Sequence, residues 1–318
     1  MALTKRTAGL LLGVPAAVAL LATVLPVTAG TAIAGTTAVT YRTISGRAEC
    51  GGTSECTATF TGSFGESARL ATTRPVVVQT GAQPSVGPGE PVSLLTGATG
   101  DVTPYGEQGY RFRVLDQTGA ISPVHTSAYY HASVPFADAG RVAASVLVTT
   151  DPAGNAAVRF PHALAAAPVA VIATGSSPYV GPGLPVNLIT NHYSTVGFGL
   201  RVLDQAGAPI GMRTVRVQYW ATGQASTPNT RAGTGVVTPN ERGLAFLPWP
   251  MLAKGFQPVS VVLTGVAPAN GPTMPVNLLV VSPLSDGAYV RVLDQAGRPV
   301  TSSVTLAFYA TKLAASTG

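Results

Sequence analysis

Short runs of alternating apolar and polar residues fill the chain after residue 35. The middle third shows the pattern most clearly, because Gly, Pro, Asp or Asn bounds each run. Six runs there predict strands, at 142–149, 156–160, 168–174, 185–190, 197–204 and 213–221. The third run is almost continuously apolar, which is typical of a buried strand. Helical periodicity is not convincing in any window beyond the N-terminus, so the pattern predicts an all-β fold built as a small antiparallel sandwich.

The pentapeptide Arg-Val-Leu-Asp-Gln occurs at 113–117, 201–205 and 291–295, at spacings of 88 and 90 residues. Each occurrence follows the same signals in the same order: Pro-Val opening an apolar run, Thr-Gly ending it, a Gly-Pro turn, and Pro-Val-x-Leu. A fixed period of domain size indicates one small fold made three times. We therefore predict three tandem six-stranded antiparallel β-sandwich domains, at 35–133 (copy 1), 141–222 (copy 2) and 231–313 (copy 3).

The N-terminus has the pattern of an export signal. Lys5 and Arg6 precede an apolar stretch at 8–25, and Ala32-Ile33-Ala34 fits small-residue cleavage. The alternative is an uncleaved membrane anchor, since the stretch is nearly long enough to span a bilayer. We predict a signal peptide at 1–34 and a secreted mature chain that has no membrane attachment.

Charge and composition limit the classes of partner that the chain is expected to bind. Charged residues make up 10% and apolar residues 46% of the chain, which favours a folded protein over a disordered one. Removing the signal peptide lowers the formal charge from +6 to +4, because Lys5 and Arg6 leave with it. The arginines are scattered and form no basic stripe, so we predict no nucleic-acid partner.

The two cysteines, Cys50 and Cys56, flank Gly-Gly-Thr-Ser-Glu. In an exported chain this spacing predicts a disulfide across a hairpin, stabilising by about 2 kcal/mol on a loop-entropy estimate. A metal site is the weaker alternative, because partner ligands are missing nearby and the four histidines are dispersed. We predict no metal and no cofactor.

The order of signals resembles the H-type lectin domain and its relatives in tail-associated proteins. The matching pieces in copy 2 are a Pro-Val strand at 168–172, the Gly-Phe-Gly-Leu-Arg-Val strand and Asp turn at 197–204, and the last strand at 217–221. Copies 1 and 3 match at corresponding positions. The resemblance implies a six-stranded sandwich, a tendency to trimerise and carbohydrate binding at subunit edges. Because relatives trimerise, we hypothesise that the three copies form an intramolecular pseudo-trimer.

Catalysis is not predicted. The repeated Asp116, Asp204 and Asp294 each begin a turn, where Asp accepts main-chain hydrogen bonds. The histidines recur in no other copy, and the chain has no recognisable nucleophile, zinc or phosphate-loop motif.

Binding residues are suggested by the last strand of each copy. Alternation places Tyr130, Tyr219 and Phe308 inward, and it places their neighbours outward: His131, Trp220 and Tyr309. Exposed flat rings stack on sugars and also anchor protein interfaces, so both a ligand role and a contact between domains stay open. The arginines of the pentapeptide also point outward and are candidate ligand contacts: Arg113, Arg201 and Arg291.

Two functions follow. The first is a secreted non-catalytic protein whose lectin-like repeats bind a carbohydrate or cell-surface glycan. The second is an extracellular structural subunit that binds other proteins and has no sugar affinity. The outward rings distinguish them, because burial between domains favours the second function and an exposed, polar-rimmed groove favours the first.

Overall fold

The alternating pattern gives strands in the computed structural model, which describes residues 39–50, 56–61, 68–71, 74–82, 93–96, 107–115, 125–176, 187–204, 208–249, 256–266, 277–294 and 297–316. Across these ranges the secondary structure is strand, turn or bend, and no helix occurs. The all-β prediction is confirmed at this level, with a β-sandwich-like arrangement of several sheets. The predicted signal peptide at 1–34 lies outside the described residues.

Nine strands lie in the described residues of copy 1 and of the segment before copy 2. They are β1 (Val39–Tyr41), β2 (Thr43–Cys50), β3 (Cys56–Thr59), β4 (Ala68–Leu70), β5 (Val76–Ala82), β6 (Ser93–Thr96), β7 (Gly109–Leu115), β8 (Thr126–Ser133) and β9 (Phe136–Ala137). β1 and β4 pair in parallel as a separate two-stranded sheet.

Copies 2 and 3 repeat one strand order. Copy 2 has β10 (Arg141–Thr149), β11 (Asn155–Arg159), β12 (Ala170–Ser176), β13 (Asn187–Ser194), β14 (Gly197–Leu203) and β15 (Thr214–Thr222). Copy 3 and the tail have β16 (Thr230–Val237), β17 (Leu244–Pro248), β18 (Ser260–Val266), β19 (Asn277–Pro283), β20 (Gly287–Leu293), β21 (Val304–Thr311) and β22 (Ala315–Ser316). Each strand predicted for copy 2 has a counterpart here, displaced by no more than a few residues.

Each large sheet combines strands from two copies. The orders are β3-β7-β6-β12-β15-β10-β9, β11-β14-β13-β18-β21-β16, and β17-β20-β19-β5-β8-β2-β22. Copy 1 thus continues into copy 2, copy 2 into copy 3, and copy 3 back into copy 1. The strands that join copies pair in parallel, at Thr96 with Ser176, Thr190 with Val266, and Val280 with Ala82.

The prediction of purely antiparallel sheets is therefore wrong for the sheets as a whole. Within a copy the large-sheet pairings are antiparallel, whereas the joints between copies are parallel. Local alternation does not reveal a joint of this kind, because it involves strand ends far apart in sequence. Residues 38–318 form one compact unit.

The segments between copies take equivalent places at the sheet edges. β9 pairs with β10, and an isolated bridge joins Ser226 to Arg231 at the start of β16. The tail strand β22 pairs with β2 of copy 1, where Thr43 faces Ser316. The tail therefore covers β2 of copy 1 as the linkers cover β10 of copy 2 and the start of β16 of copy 3.

One glycine recurs because two main chains approach closely. Gly109, Gly197 and Gly287 begin β7, β14 and β20, four residues before each repeated arginine. A Cβ on Gly197 would collide with the Val158 carbonyl oxygen, and one on Gly287 would lie 2.6 Å from the Leu247 carbonyl oxygen. Side chains are thus excluded where β7, β14 and β20 approach the main chains of β3, β11 and β17.

A disulfide joins Cys50, at the end of β2, to Cys56, at the start of β3. The predicted pairing of the two cysteines is confirmed, but the hairpin predicted around it is wrong, because β2 and β3 belong to different sheets and pair with β8 and β7. A disulfide is compatible with an extracellular protein, since oxidising compartments preserve it. Across the described residues, no helix has the length and apolar character needed to cross a membrane.

Candidate binding surfaces

The three rings predicted to point outward meet one another. Ring centroids lie 4.3 Å apart for His131 and Trp220, 4.8 Å for His131 and Tyr309, and 5.2 Å for Trp220 and Tyr309. Their exposures are 3%, 1% and 8% for His131, Trp220 and Tyr309 respectively. The expectation of exposed rings is therefore wrong. We call these three residues the aromatic centre.

The aromatic centre is buried because each copy covers the outward face of the others. Alternation correctly separates two faces of the last strand, but the second face packs against neighbouring copies instead of solvent. Val78, Ile172 and Val262 lie opposite the three rings on the paired strands, and all three are buried. Rings packed in this way present no open face on which a sugar could stack.

The aromatic centre is electrically neutral. Burial lowers the pKa of His131 from its usual 6.5 to about 3, with a smaller contribution from the positive charge of Arg141. Its Nδ1 lies 2.6 Å from the Ser45 hydroxyl, and its Nε2 has no hydrogen-bond partner in the part of the chain that the structure describes. Burial likewise raises the pKa of Tyr309. Neutral imidazole is the form that this site accommodates.

A second set of contacts between copies comes from the threonine of the repeated Thr-Gly pair: Thr80, Thr174 and Thr264. The Thr80 hydroxyl accepts from Leu263 N–H at 2.7 Å and donates to its carbonyl at 3.2 Å. The Thr264 hydroxyl does the same with Ala173, at 2.9 and 3.3 Å, and Gln79 N–H donates to Thr174 at 3.0 Å. Each threonine thus bonds the main chain of another copy. The recurrence of Thr-Gly in all three copies is the sequence signal for these contacts, although the sequence does not reveal which main-chain groups the threonines bond.

The three candidate arginines lie on other strands. Arg113, Arg201 and Arg291 are half-buried on β7, β14 and β20, between neighbours whose side chains are buried in the core. They therefore point away from the core, on the portions β3-β7-β6, β11-β14-β13 and β17-β20-β19 of the large sheets, whereas the rings lie on β8, β15 and β21. The Nε atoms of Arg201 and Arg291 have no hydrogen-bond acceptor among the described residues. The structure does not bring the predicted rings and arginines together as one site.

The repeated aspartates take part in turns. Asp204 accepts from Ala208 N–H at 2.8 Å, and Asp294 accepts from Arg298 N–H at 2.9 Å. Asp116 lies outside the described residues. These bonds support the predicted turn role for the two described aspartates.

The outer faces differ between copies at one pair of facing positions. The pair is Thr57 and Arg111 in copy 1, Ala157 and Gly199 in copy 2, and Phe246 and Tyr289 in copy 3. Sequence comparison of the copies could have shown half of this divergence, because Arg111, Gly199 and Tyr289 each lie two residues before the arginine of the pentapeptide.

In copy 3 the pair forms an exposed aromatic platform. Phe246 and Tyr289 are 37% and 46% exposed, with ring centroids 5.4 Å apart. The Phe246 ring lies over Gly287, where a Cβ would clash with it. Arg291 follows Tyr289 by two residues and therefore lies on the same face. The sequence analysis did not identify this platform.

In copy 2 the small residues leave a groove of about 680 Å³ over β11, β14 and β13. Ala157, Gly197 and Gly199 are among its lining residues together with the polar residues Asn191 and His192, and the Asn191 amide oxygen lies over Gly199, where a Cβ would collide with it. His192 adopts a left-handed conformation with φ of 47°, which is strained for a residue with a side chain. Sequence reasoning missed this groove as well.

Asp151 at one end of the groove is held as a carboxylate. It accepts from the Asn155 N–H at 2.8 Å and from the Asn155 amide at 3.3 Å. The main-chain bond from Asn155 is the largest cause of the lowered pKa of Asp151. Among the described residues, no three His, Cys, Asp or Glu side chains are grouped so that they could hold a metal ion.

Comparison with known proteins finds no matching family model, no similar curated protein and no similar solved structure. The resemblance to the H-type lectin domain therefore stays a prediction, and functional inference depends on the surfaces themselves.

Proposed function

We propose that the chain is a secreted, non-catalytic protein that binds carbohydrate on a cell surface. Its three copies are lectin-like six-stranded sandwiches packed as an intramolecular pseudo-trimer. The cyclic order of the sheets and the meeting of three equivalent rings support this packing. Small-angle scattering from the mature chain should give a compact particle, and a linear string of domains would contradict the packing.

The observation that carries the binding function is the platform formed by Phe246 and Tyr289. Two adjacent exposed aromatic rings form an apolar patch, and contiguous exposed apolar patches mark interaction sites. Aromatic faces stack on the apolar CH surfaces of pyranose rings, so two adjacent rings suit two sugar units or one sugar and its substituent. The guanidinium of Arg291 on the same face supplies donors for sugar hydroxyls.

The alternative is an extracellular protein-interaction subunit without sugar affinity. Burial of the aromatic centre favours it, because the equivalent rings of all three copies serve packing. Exposed aromatics and arginine also anchor protein interfaces. The platform therefore supports binding under both functions, and the nature of the ligand separates them.

The test is binding of the purified mature chain to an array of glycans and cell-wall polymers. Phe246→Ser and Tyr289→Ser should each abolish binding to neutral glycans while leaving the fold intact, because both side chains are exposed. Val236→Ser is the matched control, since Val236 is an exposed apolar residue on β16 of the same copy. Absence of glycan binding by the wild type would refute carbohydrate recognition, and platform-dependent capture of a purified surface protein would establish the alternative.

A further inference from the structure

The aromatic platform of copy 3 lies next to an uncompensated positive charge. We propose that the platform binds a uronic acid residue of a glycan, whose pyranose ring stacks on the exposed aromatic rings while its carboxylate pairs with the guanidinium of Arg291. The inference rests on the proposed function and names the ligand class of the same site.

Arg291 is the next outward residue of β20 after Tyr289. Two residues along a strand span about 7 Å, and both side chains project from the same face. The residues that face them from β17 are Phe246, opposite Tyr289, and Leu244, opposite Arg291. A sugar ring stacked on the platform therefore lies within reach of the guanidinium.

The guanidinium of Arg291 has no partner in the part of the chain that the structure describes. It takes part in no ion pair there, and its Nε has no hydrogen-bond acceptor. Arginine stays protonated at neutral pH and presents its N–H donors in a planar fork that matches the two oxygens of a carboxylate. Because Arg291 is half-buried, water solvates it only in part, and a ligand carboxylate would supply the acceptors that the protein does not.

The equivalent arginine of copy 2, Arg201, has a carboxylate to act on. Asp151 and Asn240 occupy the same turn position, since the Oδ1 of each accepts the main-chain N–H four residues on, from Asn155 and Leu244 respectively. The N–H of Asn155 is the largest cause of the lowered pKa of Asp151, and the charge of Arg201 contributes to it. Copy 3 has a neutral amide at this position, so Arg291 lacks the charge that compensates Arg201.

The local balance of charge consequently has opposite signs in the two copies. The charged residues in question belong to the hairpin turn, to the repeated arginine and to the aspartate bond that follows it. Copy 2 has one cation and two carboxylates, and copy 3 has three cations and two carboxylates: Arg201, Asp151 and Asp204 against Arg291, Arg242, Arg298, Glu241 and Asp294. A further carboxylate of copy 3, Asp286, precedes the opposite end of β20. The end of the face that holds Arg291 therefore favours an anionic group.

A uronic acid suits both parts of this surface at once. The apolar CH face of its pyranose ring stacks on an aromatic ring, as that of a neutral sugar does. Its carboxylate is attached directly to the same ring and forms charge-assisted hydrogen bonds, which are about twice as strong as neutral ones. A neutral sugar makes the first contact only, so the charged sugar should bind more tightly.

The test is isothermal titration of the mature protein at pH 7 with two tetrasaccharides of the same linkage. They are cellotetraose and its counterpart built of glucuronic acid, which differs by the carboxylate at C6. We expect the acidic tetrasaccharide to bind about tenfold or more tightly at low salt, and high salt to reduce the difference. Arg291→Gln should remove the difference and leave the affinity for cellotetraose within about twofold. Arg213→Gln is the matched control, because it removes one exposed positive charge from copy 2 and should preserve the difference.

Asn240→Asp tests the same charge without altering Arg291. It gives copy 3 the carboxylate that copy 2 has at Asp151, and the turn should persist because aspartate accepts the same main-chain bond in copy 2. The affinity for the acidic tetrasaccharide should fall about threefold to tenfold, whereas the affinity for cellotetraose should not change.

Equal affinity of the wild type for the two tetrasaccharides would overturn the inference and leave the platform standing, because stacking is common to both ligands. A preference for the acid that survives both Arg291→Gln and Asn240→Asp would overturn it as well, since the carboxylate would then bind elsewhere. Failure to bind either tetrasaccharide would also reject the inference, and the glycan array would then decide the proposed function separately. Loss of both affinities in Phe246→Ser would place both ligands on the platform, as the inference requires.

Discussion

Acidification should destabilise this protein through a single buried imidazole. His131 is neutral in the folded state because burial lowers its pKa from 6.5 to about 3. The unfolded chain exposes this ring to water and protonates it near pH 6.5. The unfolded state therefore binds more protons between these two values, and the free energy of unfolding decreases as the pH falls through that window.

The magnitude follows from the width of the window. Each pH unit below 6.5 lowers the free energy of unfolding by about 1.4 kcal/mol from this group, so the loss is on the order of 3 kcal/mol at pH 4. The structure explains why the folded protein does not stabilise the protonated imidazole of His131. Protonated His131 would need a second acceptor at Nε2, and this atom faces no acceptor among the described residues, while Arg141 adds a repulsive charge.

The assay is urea unfolding at pH 7, 5.5 and 4, followed by tryptophan fluorescence, because Trp220 and Trp249 are both buried and become exposed on unfolding. His131→Phe removes the titrating group. Between pH 7 and pH 4 the free energy of unfolding of this variant should therefore fall by about 3 kcal/mol less than that of the wild type, whatever the stability of the variant at pH 7. His162→Gln is the control, since His162 is exposed and its substitution should preserve the wild-type slope. If the free energy of unfolding depends on pH in the same way in the wild type and in His131→Phe, the reasoning is refuted.

Three further predictions concern stability, each measured by urea unfolding at pH 7. Gly197→Ala should cost about 1–3 kcal/mol, because its Cβ collides with a main-chain carbonyl of β11, whereas Gly223→Ala, with its nearest atom 3.6 Å away, should be nearly neutral. Thr264→Val should cost about 1–3 kcal/mol by leaving a buried N–H and carbonyl of β12 unpaired, whereas Thr238→Val at the surface should cost less than about 0.5 kcal/mol. Replacing both cysteines with serine should cost about 2 kcal/mol, because it frees a loop with a sequence separation of 6, and an unchanged midpoint would contradict the loop-entropy argument.

The features that the sequence predicts well are local. Period-two alternation and turn residues identify the strands of copy 2, because each strand has one face in a core and is bounded by residues that favour turns. The pairing of Cys50 with Cys56 is also local, since only the five residues 51–55 lie between them. None of these predictions needs information about which copy lies beside which.

The features that it does not predict depend on distant partners. Trp220 lies outward with respect to its own copy, as alternation indicates, but His131 and Tyr309 cover it from 89 residues away on either side. The parallel joint between Thr96 and Ser176 likewise involves strand ends 80 residues apart. Alternation shows which side chains of a strand share a face. Which residues pack against that face is known only from the tertiary structure.

Repetition and divergence therefore carry different information in this chain. The Thr-Gly pair recurs unchanged because each threonine bonds the main chain of another copy, and the first glycine of β7, β14 and β20 recurs because two main chains meet there. These constraints act on every copy equally, so they keep positions identical. The outer faces have no such neighbour, and there the facing pair changes from threonine and arginine, to alanine and glycine, to phenylalanine and tyrosine. The equivalent rings of the aromatic centre also differ, but they are buried where the copies meet, so divergence alone does not identify a binding position. The candidate sites of this repeat protein should accordingly be sought at exposed positions where its copies differ, as at Phe246 and Tyr289.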